Sequence, residues 1–165
     1  MKKTLLLLLS LALLLTAFTG CGKQKDETPE VTEEPVTNVD LQEFFDEISE
    51  TYEMAMMGET EKDMMDNFYP GLSDIAMKQC VAYMPMITSV VCEFVFVQCE
   101  NSDDVQKVAD ILQKRVDEQA EGGAWYPEAM EGWAKAKVVV KNDYVLMIAH
   151  AENAEDIAAD FAAQF

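Results

Sequence analysis

The chain predicts an α+β fold: a small sheet of about three strands, one central strand plus a C-terminal hairpin, packed with amphipathic helices. Three observations carry that expectation. Ser89–Cys99, SVVCEFVFVQC, is rich in β-branched and aromatic residues and is apolar on both faces except at Glu93 and Gln98. That is the pattern of a strand covered on two sides. Lys137–Lys141 and Tyr144–Ala149 are apolar runs separated only by Asn142-Asp143, a two-residue hairpin signal. Around them, apolar residues return at helical spacing in three long segments, near 40–57, 103–120 and 152–165.

In chain order, residues 1–20 have the layout of a signal peptide. Lys2 and Lys3 form a cationic start, Leu5–Phe18 is an apolar run, and small residues lead to Cys21. The run is shorter than the ~20 residues of a membrane-spanning helix. The cysteine after Thr19-Gly20 resembles the bacterial lipobox, with Phe18 where that motif usually has Leu. The resemblance implies that Cys21 is lipidated and becomes the first mature residue. The expected location is therefore the outer face of a bacterial cytoplasmic membrane, held through lipid on Cys21. Residues 21–38 follow as an acidic, disordered tether, since Lys23–Asn38 has two prolines, five acidic residues and little to bury. Residues 39–165 are expected to form one α+β domain, a length that suits a single core.

Within the domain, Asp40 is a candidate N-cap with Glu43 three residues on. Leu41, Phe44, Phe45, Ile48, Tyr52 and Met56 then mark one face of a helix reaching about Met57. Gly58-Glu59-Thr60 interrupts it, Lys62–Asn67 adds a helical turn, and Tyr69-Pro70-Gly71 is a loop. Ser73 is expected to cap a short helix over Asp74–Tyr83, stopped at Pro85. After the central strand, Ser102 or Asp103 caps a long helix to about Ala120. Its stripe is Val105, Val108, Ile111, Leu112, Arg115 and Val116. Gly122-Gly123 breaks that helix, and Ala124–Ala134 reads as a loop with a turn or two of helix. The hairpin follows, and Glu152–Phe165 closes the chain as a helix with Ile157, Ala158 and Phe161 inward. If the long helix is a crossover, the sheet is mixed.

Charge is the strongest compositional signal. The chain carries −19, and losing Lys2 and Lys3 takes it to −21. Such a surface repels nucleic acid and anionic lipid head groups, so no nucleic-acid partner is expected. Of four cysteines, assigning Cys21 to lipid leaves Cys80, Cys92 and Cys99, without CxxC spacing. Cys92 and Cys99 lie ~23 Å apart along one strand and cannot pair. A disulfide from Cys80 to either stays open.

Tyr69-Pro70-Gly71, the run Val81-Ala82-Tyr83-Met84-Pro85-Met86 and the hairpin from Val138 to Leu146 resemble the bacterial lipoprotein family with domain of unknown function 4358. The resemblance spans most of Phe68 to Phe165, with Asn142 where the family's turn often has Gly. It implies a lipid-anchored extracytoplasmic domain with, at most, an accessory role beside membrane-bound O-acyltransferases of envelope polymers. It carries over no catalytic residues.

Read from the residues themselves, chemistry is sparse. His150 is the sole histidine. No spacing sets it against Cys80 or a carboxylate as nucleophilic catalysis requires, so no enzyme and no catalytic residue is expected. Met54, Met56, Met57, Met64, Met65, Met77, Met84 and Met86 form a thioether-rich cluster. With Cys80 or His150 these soft ligands suit Cu(I). Met also fills irregular gaps in cores, and that is the reading adopted, with no metal and no cofactor expected. The acids of the first helix lack a calcium-loop pattern. Trp125, Tyr126 and Trp133, beside Gly122-Gly123 and Pro127, are the candidate binding surface: loop aromatics stack on sugar rings or anchor a protein partner. The expected function is a non-enzymatic binding or accessory module for an envelope protein or polymer; the alternative is a solute- or soft-metal-binding lipoprotein.

Overall fold

A computed structural model of the chain describes residues 38–165. The expected signal peptide, Cys21 and the tether through residue 37 lie outside the described residues. Ten regular elements follow one another: α1 (Leu41–Thr51), β1 (Met57–Glu59), α2 (Lys62–Phe68), β2 (Met77–Pro85), β3 (Cys92–Cys99), α3 (Val105–Glu118), α4 (Pro127–Trp133), β4 (Lys137–Lys141), β5 (Tyr144–His150) and α5 (Ala154–Ala162). Among the described residues no helix is long and apolar enough to cross a membrane.

The sheet has five strands in the order β1-β2-β3-β5-β4, and every pairing is antiparallel. This overturns the expectation of about three strands and also the mixed-sheet alternative. The class, α+β, stands; the strands that were not foreseen are β1 and β2. β2 occupies most of the stretch expected as a helix over Asp74–Tyr83. Its sequence, MKQCVAYMP, is rich in good helix formers, but pairing with β3 on one side and β1 on the other overrides that weak preference. Met84-Pro85-Met86 ends this strand instead of separating a helix from one. β1 has only three residues, Met-Gly-Glu, too few to show alternation. Its pairing requires α1 to stop at Thr51, six residues short of the expected end.

β3 and β5 form the middle of the sheet, and every residue in both is buried. Strand side chains alternate between faces, so each of these strands serves two cores. On one face Phe94, Phe96, Leu146 and Ile148 meet Phe44, Phe45 and Ile48 of α1 and Ile157 and Phe161 of α5. On the other, Val95, Val97, Val145 and Met147 meet Val108, Leu112 and Val116 of α3, Trp133 of α4 and the Tyr69–Ile75 loop. The result is helix, sheet, helix in three layers. α3 and α4 carry the chain from β3 to β4, which run in the same direction with β5 between them.

Local signals behave as expected at both ends. The Asp40 carboxylate accepts from the Gln42 and Glu43 N–H groups, 3.0 Å each, capping α1. Gln79 of β2 then docks the start of the domain: its Oε1 accepts from Leu41 N–H at 2.9 Å, and its Nε2 donates to Val39 O at 2.9 Å. In the β4–β5 turn Asn142 takes φ 53°, a conformation Asn tolerates.

Phe96 is fully buried and packs edge-on or tilted against Phe44, Phe45 and Phe94. Phe96→Ala should lower unfolding free energy by about 3–5 kcal/mol, read as a shift of the urea midpoint. A change below about 1 kcal/mol would contradict the packing described.

Candidate functional site

The β3 residue between Cys92 and Phe94 is a carboxylate. Glu93 is 2% exposed, and a buried charge needs a partner and hydrogen bonds. α3 supplies Arg115 in a two-pronged arrangement: Nε donates to Glu93 Oε1 and Nη2 to Oε2, both at 3.0 Å. Such forked pairs are the strong form of the ion pair. Tyr69, after α2, donates its hydroxyl to the same Oε1. Three elements distant in sequence therefore meet on one carboxylate.

The guanidinium is also held between aromatic faces. Its carbon lies 4.7 Å from the Phe68 ring centre and 5.4 Å from that of Trp133, within cation–π range. Burial alone would lower the Arg115 pKa. The Glu93 hydrogen bonds and charge outweigh it and raise the value. Burial pushes the Tyr69 phenol well above its ordinary value, and the Glu93 charge and hydrogen bond push it further. Both directions keep Arg115 a cation and Tyr69 a neutral donor beside the Glu93 oxygens.

This ion pair forms part of the lining of a cavity of about 290 Å³. The wall is built by Phe68 and Trp133, by Met84 and Pro85 at the end of β2, by Thr88 and Val90, and by Gln119 and Ala124. Trp125 and Tyr126 complete it at the surface, 88% and 52% exposed. Two adjacent glycines set the path of this loop. α3 runs into a wider turn over Gln119–Gly123, where Gly122 takes φ 131°, open to glycine at little cost. At Gly123 a Cβ would lie 2.7 Å from the Glu118 carbonyl oxygen. The chain then reverses, and Pro127 starts α4 at the position where its missing N–H costs nothing.

Of the expected binding residues, Trp125 and Tyr126 are exposed as a loop surface requires. Trp133 is 5% exposed and belongs to the core and the inner wall. All three line the same cavity. Glu93, Arg115 and Tyr69 were missed as site residues. Their signals were an acid in a strand apolar on both faces and an arginine in an apolar helical stripe. Both nitrogens of His150 are engaged by backbone groups: Nδ1 accepts from Asn153 N–H at 3.0 Å, leaving Nε2 to donate to Glu53 O at 3.1 Å. Cys80, Cys92 and Cys99 are free thiols, which closes the disulfide alternative in this structure. Among the described residues no three His, Cys, Asp or Glu side chains gather as a metal site.

A family model described as Domain of unknown function (DUF4358) matches residues 49–150. The match takes in all five strands and every cavity residue named above. It begins before Phe68, where the resemblance read from the sequence starts, and stops ahead of α5. No curated protein and no solved structure matches the chain.

A raised phenol pKa means that folding favours neutral Tyr69. Its contribution is complete below the unfolded value near pH ~10 and is lost as pH rises through the folded value. Tyr69→Phe should cost about 1–3 kcal/mol at pH 7 and lessen the fall of stability above pH ~10, followed by urea unfolding across pH. Tyr52, raised to about 12 by its hydrogen bond to Asp160, titrates alike in both proteins. Parallel pH curves for the two would sink the Tyr69 assignment.

Proposed function

The chain belongs to the DUF4358 family, and from that premise we propose that it is a non-enzymatic, lipid-anchored binding module of the bacterial envelope. Its ligand is a neutral sugar unit of an envelope glycan, taken up in the aromatic-walled cavity. One observation carries this reading: Trp125, a large apolar ring left almost wholly in solvent, stands at the rim of a cavity containing a fixed guanidinium and carboxylate. A flat exposed ring offers a stacking face, and buried paired polar groups fix orientation.

The other groups support the same assignment. The cavity is at the small end of the ~300–1,000 Å³ typical of ligand pockets, a size for one ring instead of an extended chain. Two of the five N–H donors of Arg115 are committed to Glu93, so the guanidinium has further donors for a ligand hydroxyl or amide carbonyl. The chain's net charge of −19 disfavours an anionic polymer. Catalysis is not favoured, because both oxygens of Glu93 are already engaged by Tyr69 and Arg115 and both nitrogens of His150 by backbone groups. Lipid on Cys21 would raise the local concentration of the module near its polymer without any added contact.

The test is calorimetric titration of the full chain in detergent with neutral N-acetylhexosamine oligosaccharides. Trp125→Ala, at an exposed position, should leave stability within about 0.5 kcal/mol and weaken binding roughly tenfold, about 1.4 kcal/mol. Binding unaffected by Trp125→Ala, or no binding by the native chain, would refute the assignment. For the anchor, Cys21→Ser should release the protein from the membrane fraction or leave its leader uncut. Normal processing with full membrane retention would remove lipid attachment from the proposal.

A further inference from the structure

Next to Glu93, and therefore on the opposite face of the sheet, lies a second cluster of different chemistry. After α1 the chain passes over the Cys92 end of β3 before becoming β1. In doing so it brings two thioethers onto one thiol: Met57 Sδ is 3.4 Å and Met54 Sδ 3.9 Å from Cys92 Sγ. Metal–sulfur bonds of ~2.3 Å in a trigonal set hold their sulfurs ~4 Å apart: the Met54 spacing of 3.9 Å matches this, and the Met57 spacing of 3.4 Å would widen on binding. Cys92 is buried, whereas Met54 and Met57 are half-buried.

We propose that Cys92, Met54 and Met57 form a site for a monovalent soft metal ion of the Cu(I) class. Thiolate and thioether donors select Cu(I) over hard cations. On binding, the Cys92 S–H bond breaks, its proton passes to solvent, and a Cu–S bond forms with no change in oxidation state. One thiolate and one monovalent cation sum to zero charge, which suits the apolar layer around Phe94 and Ile148. A divalent ion would leave net charge there. His150, paired directly across from Cys92, contributes no ligand nitrogen because both of its nitrogens are taken by backbone groups.

The experiment is an anaerobic titration of the full chain in detergent with Cu(I) itself, against a chromophoric Cu(I) chelator of known affinity. X-ray absorption of the loaded protein follows. One tightly held Cu(I) with only sulfur neighbours is expected. Cys92→Ala should abolish tight uptake, and the double substitution Met54→Leu/Met57→Leu, which preserves bulk and folding, should weaken it at least tenfold. Failure of the native chain to compete, retention of tight Cu(I) by Cys92→Ala, or unchanged affinity in the double variant would each overturn the proposal. The last outcome would reduce the site to a lone thiol.

Discussion

A central strand covered on both faces can hold a carboxylate only if other elements bring it a cation and a donor. β3 is such a strand, and Glu93 is that carboxylate. Satisfying it ties α3 to the sheet through Arg115 and ties the segment after α2 to the same atom through Tyr69. Breaking a buried pair of this kind typically costs ~3–5 kcal/mol, because the remaining charge has no solvent to turn to. The pair thus specifies where α3 lies along the sheet. The aromatic groups that flank the guanidinium follow from that placement.

The cavity is a consequence of the same arrangement. Arg115 lies in the last turn of α3, so the helix must end nearby and the chain must reverse within a few residues. Gly122 and Gly123 allow the reversal, one by its positive φ and one by close approach to a backbone carbonyl. The reversal leaves Trp125 and Tyr126 on the outside while Trp133 returns to the inner wall. Small size at Gly132 completes the fit: a Cβ there would lie 2.9 Å from a Val91 methyl. Wall, ion pair and rim are therefore one construction.

The two sheet faces divide their chemistry by the alternation of β3. Odd positions carry Glu93 toward the aromatic cavity, and even positions carry Cys92 toward the thioethers. A one-residue slip of register would exchange the two environments, placing a carboxylate among phenyl rings. The seven successive pairings of β3 with β5 guard against that slip. The Gln79 hydrogen bonds to Val39 and Leu41 hold α1 over the second face.

Much was decided by sequence alone, because it depended on neighbours within a few residues. Asp40 caps its helix, Asn142-Asp143 turns the hairpin, Gly122-Gly123 ends α3, and the covered strand expected over Ser89–Cys99 forms from Cys92 onward. Trp125 and Tyr126 were likewise legible as loop aromatics. Tertiary structure alone decided what rests on long-range pairing. β2 looks helical until β1 and β3 take its backbone groups. Glu93 and Arg115 are exceptions in apolar patterns until a 22-residue separation is closed. Only folding shows that the thioethers of Met57 and Met54 meet Cys92, 35 and 38 residues away, instead of gathering on Cys80 or His150. Periodicity reports which face a residue occupies; it carries no information about which distant residue occupies the facing position.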